Sequence, residues 1–150
     1  MRALIQRVSE AKVVIDREIS GAIDQGLLIL LGIEHEDGEA DADWLIKKIS
    51  GLRIFSDNEG KMNLAISDVN GSFLVVSQFT LHASTKKGNR PSYIKAARPE
   101  KAIPLYEYFK TELEKESHLK VESGEFGADM KVQLINDGPV TIWIDSKNKE

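Results

Sequence analysis

The run Phe73-Leu74-Val75-Val76-Ser77-Gln78-Phe79-Thr80-Leu81 constrains the fold more than any other stretch of this chain. Successive side chains of a strand point to opposite faces. Phe73, Val75, Ser77, Phe79 and Leu81 therefore share one face, and Leu74, Val76, Gln78, Thr80 and His82 share the other. Both faces are apolar as far as Val76, and polar groups gather only at the C-terminal end. The pattern predicts a core strand with a polar tip. Phe79 is expected to anchor in the core, with Gln78 and Thr80 projecting together into a cleft. Gly26 to Ile33 is continuously apolar and predicts another strand, covered on both of its faces.

Other segments fill in around these two. Residues 2 to 15 alternate well enough for a long strand, and Ile19 to Asp24 reads as a further one. Asp41 to Leu52 places Trp44, Leu45, Lys48, Ile49 and Leu52 at helical spacing, behind acids that suit a helix N-terminus. Pro99 to Glu116 is a second helix, with a proline near its start and Pro104 in its first turns. Asp57-Asn58-Glu59-Gly60 is a turn. Met130 to Asn136 and Val140 to Ile144 read as two last strands with Asp137-Gly138-Pro139 between them, and Ser146 to Glu150 as a frayed tail. Strands outnumber helices and connections are short, which predicts one α+β domain spanning residues 1–150.

Composition removes several function classes. The chain has no cysteine, which excludes disulfides, thiolate zinc sites and a cysteine nucleophile. Its longest apolar run, Leu27 to Leu31, is far too short to cross a bilayer. Its opening residues reach charge before any signal-like segment develops, so a cytoplasmic protein is expected. The formal charge is −4, a poor match to a protein that grips long nucleic acids. That charge is unevenly spread. Residues 34–43 carry Glu34, Glu36, Asp37, Glu39, Asp41 and Asp43, whereas residues 82–99 carry Lys86, Lys87, Arg90, Lys95 and Arg98 and no acid. The first group reads as a helix start. The second is either a solvated loop or a guide for one end of an RNA.

Ser77-Gln78-Phe79-Thr80-Leu81 and Asn136-Asp137-Gly138-Pro139-Val140-Thr141 together resemble the two signature motifs of the D-aminoacyl-tRNA deacylases. Ile5-Gln6-Arg7-Val8, Arg53-Ile54-Phe55, Gly60-Lys61-Met62-Asn63, Arg90-Pro91-Ser92 and the stretch Phe126 to Met130 match in the same order. On the residues alone, Gly138-Pro139 is a turn, Arg7 an ordinary strand charge, and Phe126 with Met130 an apolar pair that suits a core equally well. The resemblance implies more. It implies a mainly antiparallel, strongly curved, barrel-like sheet with two packed helices, acting as a homodimer on the ester between a D-amino acid, or glycine, and the 3′-terminal adenosine of tRNA.

In that reading Gln78, Phe79 and Thr80 are catalytic, with the backbone N–H groups of Phe79 and Thr80 as oxyanion donors. Ser77 binds substrate. Gly138-Pro139 is cis and presents its carbonyls to the active site of the partner subunit, and Arg7 holds that element. Phe126 and Met130 lie near the adenosine. Neither a metal nor another cofactor is expected. Two alternatives stay open on the sequence. One is a non-catalytic tRNA-binding module. The other is an unrelated hydrolase with Thr80 as nucleophile and His82 as its base.

Overall fold

The computed structural model describes residues 1–150, and its organising element is the long strand β1, Arg2–Ile15. One edge of β1 is shared by two partners. Its first half pairs antiparallel with β3, Gly26–Gly32, and its second half with β2, Glu18–Ile23. Its other edge pairs antiparallel with β8, Lys131–Asp145. Beyond β3 the sheet continues through β6, Ser72–Ser77, to β7, Val121–Ser123, and both of these pairings are parallel. β7 then returns to β2, where Ser20 Oγ donates to the Ser123 carbonyl at 3.2 Å. The result is a nearly closed, barrel-like sheet. Helices α1, Glu39–Ser50, and α2, Pro99–Ser117, lie together on one face, and α2 runs through Pro104 without ending. A small hairpin, β4 (Phe55–Ser56) and β5 (Met62–Leu64), stands apart.

This arrangement explains the doubly apolar runs. Leu27, Ile29, Phe73 and Val75 face the helices and pack with Leu45, Ile49, Tyr106 and Phe109. Leu28, Leu74 and Val76 face the other way, into the curl of the sheet, against Val8, Val13 and Ile23. The central strands are thus wrapped by helices on one side and by their own sheet on the other. Each buried Leu- or Phe-sized side chain contributes on the order of 1.5–3 kcal/mol.

Four expectations are corrected. The strand beginning near Phe73 ends at Ser77, and Phe79–His82 is a 3₁₀ turn. The ladder runs out there: Gln78 N–H donates to the Leu31 carbonyl at 2.7 Å, one residue before β3 itself ends. A side chain at Gly32 would come within 3.1 Å of Leu81 Cβ, the Gln78 carbonyl and His82 Cδ2, so a larger residue would push the turn off the strand end by a few tenths of an ångström. Phe79 is consequently 54% exposed and does not anchor in the core. The last two strands are one strand, β8, because β1 continues alongside and bridges the Asp137-Gly138-Pro139 segment as a bulge.

The tail beyond Ile144 is not wholly frayed. Ser146 is buried, its N–H donates to the Met1 carbonyl at 2.9 Å, and its hydroxyl donates to Asp41 Oδ1 at 2.7 Å.

Asp41 gathers much of this local order. It accepts from the Gly38 N–H at 3.0 Å, which fixes the start of α1, and from Lys147 Nζ at 3.1 Å. Burial opposes its charge, but the bonds from Ser146, Gly38 and Lys147 hold its carboxyl down at about 2, against an ordinary 3.8. A carboxyl depressed in the folded state adds stability above its unfolded pKa, and that stability disappears as pH falls through the folded value. Asp41→Asn is therefore expected to cost about 2 kcal/mol at neutral pH, with the deficit closing between about pH 4 and pH 2. Denaturant titrations of both proteins across that range check it.

Candidate active site

A cleft of about 330 Å³ opens at the C-terminal ends of β3 and β6. Leu31, Ile33, Val76 and Val132 form its floor, Ala97 comes from just before α2 and Ala102 from its first turn, and Phe126 to Met130 form the facing wall. Ser77, Gln78 and Phe79 stand at its lip. Ser77, Gln78, Phe79, Phe126 and Met130, chosen from sequence, thus share one concave surface. Phe126 and Met130 each have one side packed on the core and another toward the cleft. Phe126 packs a half-buried ring against Tyr106, with centroids 5.8 Å apart, and also faces the cleft. Met130 touches the inner core and faces the cleft as well.

Thr80 stands beside the cleft without lining it. Its hydroxyl accepts a hydrogen bond from Gln78 Nε2 at 2.5 Å. The turn itself is more telling. In a 3₁₀ turn the first bond closes from the fourth residue back to the first, and here Leu81 N–H reaches the Gln78 carbonyl at 3.2 Å. The N–H groups of Phe79 and Thr80 precede that bond and have no partner in the chain. Two adjacent free donors are the outcome of a strand that stops at Ser77 and turns.

Arg2 secures this turn from outside the cleft, a role the sequence did not suggest. Its Nη1 donates to the Leu81 carbonyl at 2.9 Å, its Nε donates to Asp145 Oδ2 at 2.9 Å, and its guanidinium lies 5.5 Å from the centre of the Trp143 ring. Tyr106, on α2, supports the strand that leads into the turn. Its buried hydroxyl donates to the Val75 carbonyl at 3.0 Å, tying α2 to β6, and burial raises its pKa.

His82 points inward from the turn. It is 2% exposed, and neither ring nitrogen makes a hydrogen bond. Burial lowers its pKa, opposed by the Gly32 backbone and by Glu34, whose Oε2 lies 3.9 Å from Nδ1. Burial thus favours the neutral imidazole. Neither ring nitrogen hydrogen-bonds the Thr80 hydroxyl, so no Thr80–His82 nucleophile and base pair is assembled.

Arg7, Gly138 and Pro139 do not line the cleft. β1 residue Arg7 faces the bulge, which lies between the pairs Gln6 with Thr141 and Val8 with Asn136. Arg7 Nε donates to the Asp137 carbonyl at 2.9 Å and Nη1 to the Ile54 carbonyl at 2.7 Å. Asn136 Nδ2 donates to the carbonyls of Arg7, at 3.1 Å, and Val140, at 2.9 Å. The Gly138–Pro139 bond is cis, Gly138 has φ +135°, and both residues are exposed. Along β1, Arg7 is five positions from Arg2, whose side chain reaches the turn, a rise of about 17 Å. None of the three residues at the bulge contributes to the cleft lining of its own chain.

Comparison with known proteins follows the geometry. Residues 4–145 match the family described as D-Tyr-tRNA(Tyr) deacylase. A protein of Akkermansia muciniphila named D-aminoacyl-tRNA deacylase is 64% identical over 150 residues, covering 100% of both chains. A protein of the same name from Bacteroides fragilis (strain YCH46) is 62% identical with the same coverage. Among solved structures, the c-Myc DNA Unwinding Element Binding Protein superposes with a TM-score of 0.91 at 39% identity, covering 97% of this chain and 98% of that one. A probable eukaryotic D-amino acid tRNA deacylase superposes with a TM-score of 0.81 at 14% identity, covering 95% and 97%, a likeness of fold alone.

Proposed function

The chain belongs to the D-aminoacyl-tRNA deacylase family and is a hydrolase of that kind, and we propose that the cleft beside Gln78 to Thr80 is where the ester is cleaved. The observation that carries this reading is the pair of free N–H groups at Phe79 and Thr80, at the lip of a largely apolar cleft. Water attacks the ester carbonyl, the carbon becomes tetrahedral, and the developing oxyanion is met by those two donors. The bond to the ribose oxygen then breaks, the alkoxide takes a proton, and a free D-amino acid and tRNA leave. An aminoacyl ester is already reactive, so orientation and oxyanion stabilisation suffice. The vicinal 2′-hydroxyl of the substrate assists the proton transfers. Phe126 and Met130 give the terminal adenine an apolar seat, and Ser77 supplies a polar contact next to it. Gln78, by holding the Thr80 hydroxyl, fixes the turn.

Gly138 and Pro139 enter this scheme from a second copy of the chain. Their exposure, and their absence from the cleft lining of their own chain, support a homodimer in which each bulge reaches the partner's site. The outer edge of β8 has no strand partner in the chain, and Ile135 and Trp143 on that strand are 54% and 48% exposed. No helix is long and apolar enough to cross a membrane. The cytoplasm, where aminoacyl-tRNA is made and used, is the compartment that suits the activity.

Thr80→Ala tests the chemistry. The substitution keeps the backbone N–H and removes the hydroxyl, so single-turnover cleavage of D-Tyr-tRNA is expected to slow by no more than about tenfold. Loss of a true nucleophile costs several orders of magnitude. A collapse of that size would overturn the backbone-donor mechanism.

A further inference from the structure

We propose that the exposed ring pair Phe79–Tyr93, with the basic loop around it, is a binding platform for the single-stranded nucleotides that precede the terminal adenosine. The inference rests on the deacylase reading and extends it from the ester to the RNA. Phe79 lines the cleft on one side and on the other meets Tyr93 edge to face, with centroids 5.0 Å apart. The two rings are 54% and 38% exposed, so the aromatic surface continues outward from the cleft into solvent.

The loop that carries Tyr93 is anchored at both ends. Ser84 and Ser92 exchange backbone hydrogen bonds of 2.8 and 2.9 Å, and Ala97 N–H donates to the Ile33 carbonyl at 2.9 Å. Between these anchors stand Lys86, Lys87, Arg90 and Lys95, all exposed, and none is in an ion pair. A chain of net charge −4 therefore keeps a set of uncompensated cations beside its cleft.

The chemistry selects the occupant. Free cations tracking a backbone, with rings on which bases stack, is the combination that holds single strands without reading their sequence. Lysine is depleted in protein–protein interfaces, which argues against a second copy here. Only the 3′ end of an acceptor arm is single-stranded and joined to the adenosine in the cleft.

The test compares D-Tyr-tRNA with the D-Tyr ester of adenosine alone, using the triple variant Lys86→Gln/Lys87→Gln/Arg90→Gln and the single variant Tyr93→Leu. With the triple variant, the ratio of kcat/KM for tRNA to that for the adenosine ester is expected to fall at least about tenfold, and the log–log salt slope to shrink by about 2. With Tyr93→Leu the same ratio is expected to fall about tenfold, the order of one lost base–ring stack. Equal changes on both substrates, or none on either, would refute the platform while leaving the deacylase reading intact. Dissociation of subunits by Tyr93→Leu would refute it too, by showing the rings to be an interface between copies. A wild-type protein inactive on both substrates would overturn the deacylase reading itself.

Discussion

D-Tyr-tRNA, D-Asp-tRNA and Gly-tRNA are expected to be hydrolysed at rates within about tenfold of one another, and L-Tyr-tRNA to be spared by more than a hundredfold, about 3 kcal/mol or more. The proposed reason is the bulge of β8. Arg7 holds the Asp137 carbonyl, and Asn136 bonds across the segment to Val140, so both ends of Gly138–Pro139 are pinned. Backbone fixed in this way, and carrying no side chain at Gly138, is suited to lie close to the substrate Cα. The D and L forms exchange a hydrogen and a side chain at that carbon. Carbonyls packed against the hydrogen leave an L side chain nowhere to go, and overlap with rigid backbone exceeds the ~1–3 kcal/mol that one methylene of fit provides. Rejection of this type does not read the D side chain, and glycine, having none, passes. Rates for the four esters on their cognate tRNAs decide it. Cleavage of L-Tyr-tRNA at a rate near that of D-Tyr-tRNA would sink the idea, and so would action on a single D-residue.

Much of this geometry was legible from the residues, and what was not has identifiable causes. Gly26 to Ile33 and Phe73 to Val76 announced buried central strands because both of their faces are apolar, and the structure covers both. Periodicity could not show where the second strand stops. Phe79 and Leu81 continue the alternation, yet the ladder ends because β3, its hydrogen-bonding partner, ends at Gly32. That limit is set by another segment. The same holds at Asp137-Gly138-Pro139, where a local reading gives a turn and the length of β1 makes a bulge instead.

Cleft residues were found unevenly. Ser77, Gln78, Phe79, Phe126 and Met130 stood in recognisable motifs, whereas Arg2 is invisible as a support because its partners, Leu81 and Asp145, are remote in sequence. His82 looked like a base for Thr80 two residues away, but a 3₁₀ turn does not keep the i, i+2 neighbours of a strand on one face. Its ring is buried instead.

Two inactive variants are expected to restore one another when mixed. Phe79→Pro removes one of the two proposed oxyanion donors, and proline suits the first position of a turn, where the N–H has no partner within the turn. Gly138→Ala damages the other half. At φ +135° its Cβ would lie 2.8 Å from Val140 Cγ2 and 3.0 Å from Arg7 Nη2, so the bulge and the arginine that holds it must both shift. Each variant alone is expected to lose more than a hundredfold in kcat/KM, because in the proposed homodimer both sites carry the same defect. Subunits exchanged at equal concentration give about half heterodimers, and each heterodimer has one site built from an intact turn and an intact bulge. The mixture should therefore recover about a quarter of wild-type activity. If turn and bulge served the same chain's cleft, every site would keep a defect and mixing would recover nothing. A monomer in sedimentation at assay concentration, with full activity, would exclude the shared site directly.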